Sequence, residues 1–232
     1  MSERFSRLLR ALPEAGSLKD KTVAVVGLGG VGGYCVEVLA RSGVGHIVLV
    51  DGDTVDISNI NRQIIATEQT VGQEKSEAWK NRVLSINPDC DVTAVSMFYL
   101  PEKKDEFFCR HYDFVIDAID TVTAKIDIIV QSVALGIPVV SSMGFGNKLD
   151  PSKVRMSDIS KTTTCPLARV MRRELRQRGI TSLPVAFSDE EPLPCSAPAV
   201  NGKVPPASVA WVPSVAGIMI GGYVVKALLG VV

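Results

Sequence analysis

The strongest constraint on this chain lies between residues 23 and 51. An apolar run, Val23-Ala-Val-Val26, meets the turn Gly27-Leu-Gly-Gly-Val-Gly32, then a helical pattern over 31–41, then Ile47-Val-Leu-Val50 closed by Asp51. Neither run alternates with polar residues, so both strands need cover on two faces, as parallel strands between helix layers have. Gly27, Gly29, Gly30 and Gly32 let backbone N–H groups approach a phosphate at the helix N-terminus. Asp51 stands at the end of the second strand, where an acidic side chain accepts from ribose hydroxyls.

The alternation recurs. Segments 92–97, 114–116 and 139–141 read as further strands, with helical patterns at 74–86, 102–110 and 122–135 between them. This predicts an α/β fold, a Rossmann-like doubly wound and mainly parallel sheet. After Gly146 the character changes to a C-terminal extension of antiparallel strands and helices. Strands are expected at 154–157, 183–187 and 209–212, and a basic helix at 166–178. The aperiodic stretch near 188–206 holds Pro192, Pro194, Pro198, Pro205 and Pro206 and reads as a mobile, functional loop. The apolar stretch 212–232 is interrupted by Pro213, Lys226 and glycines, so a buried C-terminal helix is expected rather than a membrane span. The whole chain, 1–232, reads as a single adenylylating-type domain with a nucleotide-binding half (1–146) and a substrate-binding half (147–232).

Composition narrows the partners. Formal net charge is zero, so contact with nucleic acid or membrane must come from a local patch. The five cysteines form no C-x-x-C pair, which argues against a tetrahedral zinc site and for reduced thiols in a cytoplasm. The polar first residues precede no apolar core of a signal peptide. His46 and His111 fall at strand entries and read as structural.

A glycine turn of this spacing serves NAD and ATP alike. The segment after Asp51 separates them, because an oxidoreductase needs only the acidic residue there. This chain continues Gly-Asp53-Thr-Val-Asp-Ile-Ser-Asn59-Ile-Asn61-Arg62-Gln63 and then Val71-Gly-Gln-Glu-Lys75. Asn59, Arg62 and Lys75 thus bring an amide, a guanidinium and an ammonium to the same nucleotide edge, and Asp53 joins the nucleotide-binding set. Arginine suits bidentate phosphate contact, and lysine offers a compact charge to an α-phosphate gaining negative charge. Asp117-Ala-Ile-Asp120 closes the strand at 114–116 and offers carboxylates to Mg²⁺, with Asp120 the expected ligand and Asp117 orienting its loop.

The blocks GLGGVG, LVDGDTVDISNINRQ, VGQEK, INPDCDV and DAIDTVTAK together resemble the ThiF/MoeB/HesA superfamily of ATP-dependent adenylylating enzymes, over about residues 4–145. The resemblance implies that the 27–32 turn cradles phosphates, Asp51 holds ribose, and Asn59, Arg62 and Lys75 contact the triphosphate. It implies Mg²⁺ on Asp120. Arg7, in Arg4-Phe-Ser-Arg7, matches an N-terminal arginine that reaches ATP across a homodimer interface. The implied catalytic set is Arg7, Arg62, Lys75 and Asp120.

Sulfur-carrier activators of this superfamily carry two C-x-x-C pairs, which this chain lacks. Its blocks SSMGFGNKLDP, DISKT, CPLA and PSVAG resemble instead the tRNA threonylcarbamoyladenosine dehydratase branch, which extends the resemblance to nearly the whole chain. That branch implies tRNA carrying threonylcarbamoyladenosine as partner. The carboxylate on adenosine 37 is activated by ATP and then cyclises with loss of AMP. Arg169, Arg172, Arg173 and Arg176 stack on one helix face, and with Lys161 they form the expected tRNA contact; Arg178 and Lys203 extend the patch. Cys165, before Pro166 at a helix start, has the placement of an activated thiol, but intramolecular cyclisation needs none. The alternative is an activator of a ubiquitin-like sulfur-carrier protein, with sulfur-transfer proteins as partners. An NAD-binding oxidoreductase and a non-catalytic adaptor are the remaining readings.

Overall fold

The computed structural model describes residues 3–194 and 206–231. They form one seven-stranded sheet in the order β3-β2-β1-β4-β5-β7-β6. Strands β1 (Thr22–Val26), β2 (His46–Val50), β3 (Asp91–Val95), β4 (Phe114–Asp117) and β5 (Val139–Ser142) pair in parallel. β7 (Pro184–Ser188) adds parallel to β5, and β6 (Val154–Asp158) runs antiparallel to β7 at the edge. The C-terminal antiparallel pair therefore extends the first sheet rather than starting a second.

The strand period of two sorts the core onto both faces. Val23 and Val25 join one apolar cluster, whereas Ala24 and Val26 join the other. The first face is covered by α2 (Gly32–Arg41), α3 (Lys75–Ile86) and α7 (Trp211–Leu228), which contribute Leu39, Trp79 and Ile220 among others. The second is covered by α5 (Val122–Ala134) and α6 (Pro166–Arg176), through residues such as Ile128 and Met171. Of the short helices, α1 (Ser6–Ala11) packs Leu8 and Leu9 against the first cluster, and α4 (Lys104–Phe107) places Phe107 in the second.

Three local expectations change. The strand expected at 209–212 is not one: Trp211 opens α7, with Pro213 in its first turn. There the missing N–H has no helical partner to lose, whereas within a strand it would remove a ladder donor. The helix expected over 102–110 shrinks to a 3₁₀ turn, Pro101–Lys103, and α4. Phe107 stacks on Tyr112 at 4.9 Å between ring centroids, and Tyr112 Oη donates to Phe107 O at 2.7 Å, so tertiary contacts end the helix early. In the proline-rich stretch, β7 runs through Ser188, while 195–205, with Cys195 and Lys203, lie outside the described residues.

Among the described residues, α7 alone is long and apolar enough to cross a membrane, and 44% of it is buried within the protein. It lies on α2, where Gly217 meets Val31 O and Tyr34 Cβ at a distance that leaves no room for a side chain.

Strand order reverses between β1 and β4: the chain builds outward through β2 and β3, then returns to the other side of β1. In open α/β sheets the ligand crevice lies outside the carboxyl ends of the strands at such a switch.

Candidate active site

A pocket of about 460 Å³ opens at that crevice. It is lined by Gly27, Gly29 and Gly30 after β1, by Asp51 and Asp53 after β2, by Asn59, Arg62 and Lys75, and by Asp120 after β4. Gly32 and Arg7 are not in its wall. Gly27 has φ +88°, and a Cβ there would lie 2.5 Å from Ala118 O, so the exits of β1 and β4 touch only over glycine. Gly32 opens α2 against Gly27 O, where again no Cβ fits; it shapes the turn from behind.

Each polar residue is held by its neighbours. Asp51 Oδ2 accepts from Leu28 N–H at 2.7 Å and Oδ1 from Asp53 N–H at 2.8 Å, which aims the carboxylate and leaves lone pairs for a ligand. Lys75 is the first residue of α3 and is buried, with Nζ 2.9 Å from Asp53 Oδ2. Asp53 thus holds the lysine at the pocket. Arg62 Nη1 donates to Ser58 O (3.2 Å) and to Asn61 Oδ1 (3.0 Å). Asn59 closes a capping box, its Oδ1 accepting from Asp56 N–H, so its NH₂ group remains for the pocket it lines.

The carboxylates of β4 divide their roles. Asp117 is fully buried and pairs with the fully buried Lys125 at 2.8 Å; it also accepts from Ser141 Oγ at 2.6 Å. Lys125 donates as well to Ile119 O (3.1 Å) and Ser142 O (2.8 Å). This pins the 118–120 loop to the end of β5. Asp120 is exposed at the pocket, and its Oδ1 accepts from Thr121 Oγ1 at 3.4 Å. No group of three or more His, Cys, Asp or Glu gathers to hold a metal among the described residues. A lone exposed carboxylate suits a cation shared with phosphate oxygens.

The pocket also contains residues that no sequence spacing singled out. Gln63 is buried with Oε1 lacking a hydrogen-bond partner, and it lines the pocket beside Gly29. Phe98 is 60% exposed beyond β3, and a Cβ on Gly52 would come within 2.6 Å of its ring. In sequence it is one of a run of large side chains, Met97-Phe-Tyr-Leu100, and nothing in the run marks it out.

The arginine helix is less uniform than its spacing implies. Arg172 turns inward and Nη1 donates to Thr162 O (2.8 Å) and Thr162 Oγ1 (2.6 Å). Arg173 and Arg178 both pair with Glu174, which holds that carboxyl below its usual range. Arg169, Arg176 and Lys161 are exposed. Cys165 is buried at the start of α6, with Sγ 3.9 Å from Gly144 O. Arg7 is exposed on α1, outside the pocket.

A glycine turn, a ribose-level carboxylate and a cluster of cationic side chains at a sheet switch point define a nucleotide-binding protein of the Rossmann-like α/β class. The chain belongs to the ThiF family, whose model matches residues 5–232. It is 47% identical over 243 aligned residues to the tRNA threonylcarbamoyladenosine dehydratase of Bacillus subtilis (strain 168), covering 99% of this chain and 96% of that protein. The crystal structure of the E. coli tRNA N6-threonylcarbamoyladenosine dehydratase in complex with ATP matches with a TM-score of 0.89 at 32% identity, over 98% of this chain and 94% of that one. The E. coli sulfur carrier protein ThiS adenylyltransferase is 36% identical over 152 residues, 63% of this chain and 60% of its own length.

Proposed function

We propose that this protein is an ATP-dependent adenylylating enzyme that dehydrates N6-threonylcarbamoyladenosine at position 37 of tRNA to its cyclic form. One observation carries the reading: a single cavity is lined both by the residues expected at a nucleotide and by segments that none of them needs. Asp51, Asn59, Arg62 and Lys75 line it with the phosphate turn, and residues 142–146 and Pro206, Ala207 and Ser208 line the same cavity. A carboxylate entering there meets the α-phosphate.

The carboxylate oxygen attacks the α-phosphorus, the bond to the bridging oxygen breaks, and pyrophosphate leaves. Lys75 and Arg62 stabilise the charge gathering on the phosphoryl oxygens. A neighbouring group of the same substrate then attacks the acyl adenylate, and AMP departs with the carboxylate oxygen. Because this attack is intramolecular, proximity replaces a protein nucleophile, and Cys165 has no part in it. Asp120 is the residue that would hold Mg²⁺ together with phosphate oxygens; the cation supplies charge neutralisation there.

The tRNA backbone is met by Lys161, Arg169 and Arg176, with Arg173 partly neutralised by Glu174 and Arg172 bracing the helix start. The protein acts as a cytoplasmic homodimer in which the exposed Arg7 serves the partner's pocket.

The test is AMP and pyrophosphate release with purified protein. Release that requires threonylcarbamoylated tRNA, stops on chelation of divalent cations, and falls on the order of 10²–10³-fold in Lys75→Ala supports the reading. Stimulation by a carrier protein ending in Gly-Gly, and none by the modified tRNA, would move the acceptor to a protein.

A further inference from the structure

Part of the pocket wall comes from two segments far apart in sequence. Residues 144–146 follow β5, and residues 206–208 lead into α7. Asn147 joins them. Its φ is +59°, a left-handed conformation that asparagine tolerates better than most side chains. Its N–H donates to Ala207 O at 2.8 Å, and its Oδ1 accepts from Ala207 N–H at 2.7 Å. One residue thereby satisfies both main-chain groups of Ala207. Its own carbonyl accepts from Leu193 N–H at 2.7 Å, so the chain is held on either side of residues 195–205.

Two further contacts bring the segments together. A Cβ on Gly146 would lie 2.6 Å from Pro206 Cβ, so the proline ring sits on the Gly146 backbone. Trp211 Nε1 donates to Leu149 O at 2.7 Å, which fastens the start of α7 to the same turn. The clasp includes none of the residues around the phosphate turn. Its link to them is Asn61, which donates to Ser208 O at 3.1 Å and accepts from Arg62. Yet Gly146, Pro206, Ala207 and Ser208 all line the pocket.

We propose that Asn147 is a positioning residue for the carboxylate substrate: by clasping Ala207 it fixes residues 206–208 as the wall of the acceptor half, and so governs capture of the acceptor but not of ATP. The proposal rests on the carboxylate-activation reading above. Asn147→Gly keeps the left-handed backbone free of strain and removes only the carboxamide. Asn147→Asp keeps an oxygen to accept from Ala207 N–H.

The experiment measures KM for ATP and for threonylcarbamoylated tRNA in the wild type and both variants, by AMP release. In Asn147→Gly, KM for the tRNA rises about three- to tenfold, as loss of one neutral hydrogen bond implies, while KM for ATP stays within about twofold. Asn147→Asp recovers most of the loss. An unchanged acceptor KM in Asn147→Gly, or a parallel rise in both KM values, overturns the proposal. If the wild type ignores the tRNA and responds to a Gly-Gly carrier protein, the acceptor reading fails, and the same split read with the carrier decides the clasp. Amide hydrogen exchange decides it without any acceptor. Exchange at Ala207 speeds up in Asn147→Gly while Leu193 stays protected, and equal protection at Ala207 in both proteins refutes the clasp.

Discussion

At the scale of single residues, the site depends on a buried ion pair that lies behind the pocket rather than in its lining. Asp117 and Lys125 are both fully buried, and between them they hold β4, the 118–120 loop and the end of β5. Lys125→Met leaves Asp117 buried without its cation. We expect a loss of about 3–5 kcal/mol in urea unfolding, because an uncompensated interior charge costs far more than the pair contributes. Replacing both members with apolar residues should lose clearly less, and a Lys125→Met midpoint equal to wild type would dismiss the pinning role. Asp117 was legible in sequence as an orienting residue. Lys125 was not, since a lysine on a helix is ordinarily solvated and nothing in its spacing says that it points inward. Gln63 and Phe98 escaped for a similar reason: an amide and an aromatic gain meaning only from what they face.

At the scale of elements, α7 and the β6–β7 edge carry the consequences. Gly217 lets α7 lie on the backbone of α2 just beyond the phosphate turn, so Gly217→Val must push the helices apart. The expected cost is about 1–3 kcal/mol, seen as a lower thermal midpoint, together with weaker ATP binding because Val31 adjoins the turn. A full-strength, fully stable Gly217→Val variant would contradict the packing. At the sheet edge, Asp158 accepts from Ser160 and Ser182 hydroxyls and from Ser160 and Leu183 N–H groups. Burial pushes its carboxyl up, but these bonds outweigh it and hold it at about 2. A carboxyl depressed in this way stabilises the fold fully above its unfolded value near ~3.9, and the contribution disappears as pH falls through 2. The stability gap between wild type and Asp158→Asn, followed by denaturant titration, should therefore shrink between pH ~4 and ~2. A gap independent of pH would mean that the hydrogen bonds do not favour the ionised form.

At the scale of the whole molecule, every residue expected at the nucleotide converges on one pocket except Gly32, which backs the turn, and Arg7, which lies outside it. If Arg7 serves a partner copy, two inactive proteins should complement. Mixing and reassociating Arg7→Ala with Lys75→Ala regenerates one complete site in each mixed dimer, so about a quarter of wild-type activity returns. Activity that stays at the level of the separate variants would place Arg7 outside catalysis.

The sequence by itself determined the parallel α/β core and named residues that gather in one pocket at the switch point. Both arise from local patterns: unbroken apolar runs demand cover on two faces, and a glycine turn with an acidic residue at the next strand end prepares a phosphate and a ribose contact within one unit. It also marked the C-terminal stretch as a helix. The tertiary structure decided the rest. It joined β6 and β7 to the first sheet, turned residue 211 into the start of a helix, and drew Arg172 from the expected basic face onto Thr162. It also brought Asn147 against Ala207 beside the pocket wall. These are contacts between segments distant in sequence, whose partners are chosen by packing and by hydrogen-bond satisfaction, and no local period encodes them.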